Sequence, residues 1–239
     1  MIEGGRPIKK RRGILGALAL VAIAVGLYWG LVIAPPDAYQ GQVQRIMYLH
    51  LPSILTAYLS YFLVFIGSGM YLWKREKRDD ILAHSAAELG VLFTALTIIE
   101  GSIWGRPTWG VYWTWDARLT SSLLLFLMYV GYLVVRRLPA DMEVRNRRAA
   151  FVALLAFIDV PIVYFSVEWW RSLHQTATLS LNTTISGTML FTLCVSIVVF
   201  VTCFLWLLVH RFRVAWLEDE AELSGLAAAI DERRAEAYA

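Results

Sequence analysis

"GTMLFTLCVSIVVFVTCFLWLLV", residues 187–209, contains no charged residue and no proline. A helix that crosses the hydrocarbon core of a bilayer takes about 20 predominantly apolar residues, and this run supplies 23. Its two cysteines, Cys194 and Cys203, are the only ones in the chain. Neither belongs to a CxxC pair or a CxxCH haem-attachment motif, so both read as small packing residues. A surface helix would carry a polar face, which this segment lacks.

The rest of the chain follows the same pattern. Of 239 residues, 58% are hydrophobic and only 17% are charged, with a mean hydropathy of +0.56. A soluble domain keeps about a quarter of its residues charged. Five more apolar runs, at residues 13–34, 52–73, 81–103, 119–135 and 149–167, reach spanning length or approach it. The sequence therefore predicts an all-α integral membrane protein with six transmembrane helices. It reads as a single polytopic membrane domain over residues 1–239, ending in a polar tail at 214–239. The first run follows "KKRR" and exceeds the 7–15 apolar residues of a signal peptide. It ends in "APPD" without a small-x-small cleavage site, so it reads as a retained helix.

Basic residues give the chain a direction. The flank before the first span holds Arg6, Lys9, Lys10, Arg11 and Arg12, and the second-to-third connection holds Lys74, Arg75, Lys77 and Arg78. With the connection from Arg136 to Arg148 and the tail from Arg211 onward, these flanks hold all but four of the 22 Lys and Arg residues. The exceptions are Arg45, Arg106, Arg118 and Arg171. Both termini are expected to be cytoplasmic, which puts residues 35–51, 104–118 and 168–186 on the outer side. The tail, "AWLEDEAELSGLAAAIDERRAEAYA", reads as a polar helix, a solvated end or a partner-docking segment. No internal repeat or low-complexity segment interrupts the chain, and nucleic acid is not an expected partner.

The outer segment between spans three and four, "WGRPTWGVYWTWDARLTS" at residues 104–121, crowds Trp104, Trp109, Trp113 and Trp115 with Tyr112 around Asp116. Tryptophan belongs at membrane interfaces, but four within twelve residues exceed a belt. Pro107 is suited to begin a short helix, on which Trp109, Trp113 and Asp116 would share a face. Such a platform suits a large flat aromatic ligand or a docking protein, and the spacing does not choose. Four histidines are present: His50, His84, His174 and His210. His50 and His174 fall on the outer side in separate segments, and two neutral imidazoles can close both axial positions of a haem iron. His84 and His210 lie toward the inner face, where they could form a second ligand pair but read rather as interfacial residues. Glu88 and Glu100 in the third span and Asp159 in the fifth must face protein or water. Glu100, with Glu168, is placed to orient the outer site.

The run Trp104-Gly105, Trp109-Gly110, Trp113, Trp115-Asp116, Arg118-Leu119-Thr120 resembles the tryptophan-rich "WWD" signature of the membrane proteins that handle haem in cytochrome c maturation. "RIMYLHLPS" around His50 and "VEWWRSLHQTATLSL" around His174 resemble the corresponding segments of the CcmC family, whose short six-span architecture also matches. Tyr112 stands where an aromatic, often tryptophan, is expected, and it keeps the stacking surface. The resemblance implies a protein of the bacterial inner membrane that holds haem b as cargo at the periplasmic face. It implies delivery to the haem chaperone CcmE, assistance from CcmD, and association with the ATP-driven pair CcmA and CcmB. It further implies His50 and His174 as axial ligands. The cofactor platform would be Trp104, Gly105, Trp109, Tyr112, Trp113, Trp115, Asp116 and Arg118. Arg106, Arg118 or Arg171 would meet the propionates, with Asp116 orienting Arg118 or capping the loop. The resemblance implies no enzymatic activity of its own, and the chain shows no nucleotide-binding loop or nucleophile constellation. Two other readings remain: a cytochrome b-like electron carrier, which needs a second histidine pair at membrane depth, and a haem-free module that docks the chaperone.

Overall fold

The computed structural model describes residues 6–174, 185 and 187–237. Seven α-helices follow one another: α1 (Arg6–Tyr28), α2 (Met47–Lys74), α3 (Lys77–Trp109), α4 (Ala117–Val135), α5 (Met142–Phe157), α6 (Asp159–Trp169) and α7 (Gly187–Ala237). Six segments are long and apolar enough to cross a membrane, and they match the six runs of the sequence: Gly16–Ile33, Gln42–Lys74, Lys77–Trp109, Ala117–Val135, Met142–Trp169 and Gly187–Gly225. Helices α5 and α6 share one span. Pro161 has no N–H for the Phe157 carbonyl, and its ring crowds that carbonyl, so the helix breaks at Ile158. Among the described residues no strand forms; the one extended pairing is an isolated bridge between Asp37 and Gly41.

Helices α2 and α3 form an antiparallel hairpin at the centre. Arg75 closes it in the left-handed region at φ 61°, its amide donating to the Tyr71 carbonyl at 2.9 Å. Small residues let the two backbones approach: Ala57, Ser60 and Gly67 on α2, and Ala83, Ala86, Ala87 and Gly90 on α3. Close approach of this kind drives association where lipid removes the hydrophobic incentive. A Cβ at Gly67 would stand 2.8 Å from the Asp79 carbonyl oxygen, and one at Gly90 would stand 2.5 Å from the Tyr61 ring. Tyr61 in turn stacks on Tyr129 of α4 at 3.7 Å between centroids and shares a 2.8 Å hydrogen bond with Thr94. Gly67→Val should therefore push α2 from α3 and cost about 1–3 kcal/mol, the range for overpacking. A lowered thermal midpoint of the protein in detergent is the expected reading, and an unchanged midpoint would refute the close packing.

The opposite ends of these helices are tied by ion pairs. Arg136 at the end of α4 grips Asp80 of α3 with two hydrogen bonds of 2.6 and 2.7 Å. Glu88 of α3 pairs with Arg211 of α7, which makes it the helix-packing partner that its intramembrane position suggests. Helix α7 runs 51 residues, about 76 Å at 1.5 Å per residue, so the polar tail continues the last span as helix. Its first turns beyond Arg213 stay attached: Asp219 to Lys77, Glu222 to Arg145 at 3.4 Å, and Trp216 beneath the Lys77 ammonium at 4.6 Å.

Candidate haem-binding cavity

At the other end of the array, α2, α3, α4 and α6 splay around a cavity of about 250 Å³. Its wall is largely aliphatic, from Leu51, Ile54, Leu55, Ile98, Leu119 and Val163. A small set of polar groups converges on it: His50, His174, Arg118, Gln40 and Tyr58. An apolar pocket with few placed polar groups is the usual form of a ligand site. His50 and His174, 124 positions apart in sequence, thus open into one space.

The tryptophan-rich segment is built differently from the sequence expectation. No helix starts at Pro107. Helix α3 runs through Pro107 to Trp109 and ends at Gly110, in the left-handed region at φ 82°. Residues 110–116 are irregular, so Trp109, Trp113 and Asp116 share no helical face. The physical reason is that Pro107 forfeits one hydrogen bond and its fixed φ suits helix, while the Thr108 hydroxyl donates to the Trp104 carbonyl at 2.7 Å. The helix tolerates the proline near its end, and glycine supplies the stop three residues later.

The eight platform residues consequently separate. Trp104, Gly105, Trp109 and Arg118 line the cavity. Tyr112, Trp113 and Trp115 are outside its lining: Trp113 meets Trp115 edge to face at 5.6 Å, and Trp115 is 75% exposed. Each cavity tryptophan stands against a histidine, Trp104 at 5.8 Å from His50 and Trp109 at 4.6 Å from His174, both edge to face. Trp104 is pinned by its indole N–H, which donates to Gln40 at 2.9 Å. Gln40 is set by a turn in which Asp37 accepts from the Tyr39 and Gln40 amides, both at 2.8 Å. Those two donors hold the Asp37 carboxyl below its ordinary range. Arg45 braces the same segment by donating to the Leu31 and Ala34 carbonyls. Sequence alone does not single out Gln40 or Tyr58, since neither residue type in isolation signals a site.

Asp116 caps the loop as expected, accepting from the Leu119 amide at 2.8 Å as the N-cap of α4, but it does not orient Arg118. Its second oxygen takes the Ser172 hydroxyl at 2.8 Å, the Leu173 amide at 3.1 Å and Nδ1 of His174 at 3.2 Å. Burial works against the carboxylate, yet these donors outweigh it and the carboxyl lies below its ordinary range. Burial also lowers His174, with Asp116 pulling the other way. A neutral ring with Nδ1 turned to a carboxylate leaves Nε2 as the metal-binding nitrogen.

Of the three arginines considered for propionates, only Arg118 lines the cavity. It donates to the Tyr164 carbonyl at 2.9 Å and reaches Ser166 at 3.5 Å. Arg106 folds back onto the Gly110 carbonyl and the Tyr112 ring, and Arg171 is exposed. Glu168 is exposed as well, while Glu100 keeps a buried Oε2 without a partner among the described residues. His84 pairs with Glu88 at 3.5 Å, whereas His210 is exposed and bonds the Trp206 carbonyl of its own helix. Among the described residues His84 and His210 share no hydrogen bond or ring contact. Residues 175–181 of the "VEWWRSLHQTATLSL" segment lie outside the described residues.

Comparison with known proteins gives matches along most of the chain. The family model described as "CcmC: Heme exporter protein C" matches residues 8–226. The chain is 37% identical over 207 residues to the Heme exporter protein C of Haemophilus influenzae, covering 86% of this chain and 84% of that protein. It is 43% identical over 164 residues to the Heme exporter protein C of Bradyrhizobium diazoefficiens, covering 68% and 62% respectively. A putative cytochrome c biosynthesis ccmC-like mitochondrial protein of Marchantia polymorpha is 38% identical over 157 residues, 66% of each chain.

Proposed function

The chain belongs to the CcmC family, and we propose on that footing that it binds haem in the cavity and hands it on for cytochrome c biogenesis. The observation that carries the reading is the convergence of two histidines and one guanidinium on a single apolar cavity. Haem is a flat apolar macrocycle with two carboxylates on one edge. His50 and His174 supply its axial nitrogens, Trp104 and Trp109 flank it, and Arg118 faces a propionate with charge-assisted hydrogen bonds. Bis-imidazole ligation saturates the iron and suppresses oxygen chemistry while the cargo waits.

The finer reading follows the family. The cargo is haem b, the cavity faces the periplasm from the bacterial inner membrane, and both termini are cytoplasmic, in line with the basic flanks. The acceptor is the chaperone CcmE, with CcmD, CcmA and CcmB as the other partners, and the protein is a carrier rather than an enzyme. The outward aromatic group of Tyr112 and Trp115, 63% and 75% exposed, suits contact with an arriving acceptor more than contact with the ring.

A spectrum of detergent-purified protein tests the reading directly. A Soret band with the bis-histidine signature is expected, and His50→Ala and His174→Ala should each abolish that signature. Wild-type spectra in both variants would sink the ligand assignment. Protein without haem that still binds the chaperone tightly would favour a docking module instead.

A further inference from the structure

The two histidines stand in unequal surroundings. Nδ1 of His174 faces Oδ2 of Asp116 at 3.2 Å. That oxygen is fixed by Ser172 and Leu173, while the other oxygen caps α4. Hydrogen bonding to a carboxylate fixes the tautomer of a ligating imidazole and raises its basicity. His50 has no such support. Its Nδ1 is buried and has no hydrogen-bond partner among the described residues. Packing holds this ring: Trp104 meets it edge to face, and a Cβ at Gly101 would stand 2.9 Å from its Cε1.

Resting on the haem reading above, we propose that the ligands divide the work: His174, backed by Asp116, keeps the haem, and His50 gives way when an acceptor arrives. In the exchange the iron–Nε2 bond of His50 breaks and its lone pair returns to the imidazole. A lone pair from the incoming donor forms the new bond. The iron keeps its oxidation state and no proton moves. Asp116 is a positioning residue, acting through His174 without touching iron. Because one carboxylate both caps α4 and holds the His174 loop, the strong ligand is anchored to the helix array. The weak one can lose its bond without breaking any protein contact.

The test uses full-length protein, purified in detergent and loaded with haem, as wild type, His50→Ala, His174→Ala and Asp116→Asn. Asparagine still caps Leu119 through its amide oxygen, but its amide nitrogen cannot accept from an imidazole N–H. His50→Ala should retain haem in a five-coordinate ferric form that added imidazole returns to six-coordinate. His174→Ala should lose several-fold more haem than His50→Ala. Asp116→Asn should weaken haem binding about 10–100-fold, the range for losing an outer partner of a metal-ligating histidine. In ferrous His50→Ala, resonance Raman should show a stiff iron–histidine stretch that softens when Asp116→Asn is added, which a merely structural aspartate would not cause. Equal haem loss in the two histidine variants, or a stretch that Asp116→Asn leaves unmoved, overturns the inequality while the wild type still shows a bis-histidine spectrum. A wild type without that spectrum overturns the haem reading itself.

Discussion

Arg136→Leu should be the most destabilising single substitution in the helix array, at about 3–5 kcal/mol, the range for removing one partner of a buried ion pair. Asp80 is 5% exposed, and the guanidinium satisfies both its oxygens at 2.6 and 2.7 Å. Arg136 also reaches the hydroxyl of Tyr132 at 3.4 Å. Without Arg136 the carboxylate is buried, charged and uncompensated between α3 and α4. The attraction itself is not what stabilises, because desolvating two ions offsets most of the Coulombic gain. The double variant Asp80→Leu with Arg136→Leu should therefore recover most of the loss. Denaturant or thermal unfolding in detergent distinguishes the three proteins, and a single variant melting with the wild type would refute the claim. The cavity lies at the other end of the array, so the folded fraction of Arg136→Leu should keep its haem spectrum.

The legibility of this chain follows the range of each signal. Spans are local: a run such as residues 187–209 is apolar enough to specify a spanning helix by itself, and all six spans lie where the runs do. Boundaries shift because helix continues into polar sequence, as in α5 from Met142 and α7 to Ala237. The histidine pair is legible because it needs only a side, and His50 and His174 share one cavity. The tryptophan segment misleads locally. Pro107 has the chemistry of a helix start, but its position close to Gly110 makes it part of an ending. What stays hidden depends on long-range approach. Asp116 meets His174 across 58 positions, and Gln40 meets Trp104 across 64. No periodicity encodes either. The same distance effect divides the aromatic residues, since only the packing of α3 against α2 and the His174 loop decides which indoles look inward.

Arg118→Gln should loosen haem about 10–100-fold, since a hydrogen bond to a charged group contributes about 1.5–3 kcal/mol and 1.4 kcal/mol is tenfold. Its claim over Arg106 and Arg171 is positional. Arg118 lines the cavity, and its partners are a carbonyl and a hydroxyl; among the described residues it forms no ion pair. Asp116, two positions earlier, is the obvious counter-ion by sequence, but its oxygens are taken by Leu119, Ser172, Leu173 and His174. The guanidinium therefore has donors to spare, in a wall where an unpaired charge is costly, and a propionate is the group that would use them. Arg118→Lys should fall between, keeping the charge and losing the planar fork. Arg106→Gln should bind haem as the wild type does, because Arg106 serves the Gly110 turn. Titration with haem and with its dimethyl ester isolates the carboxylate contribution. Wild type should discriminate against the ester by the factor that Arg118→Gln loses, and Arg118→Gln should barely discriminate at all. If wild type took ester and acid equally, or if the Arg106 and Arg118 variants behaved alike, the propionate would have to be held elsewhere.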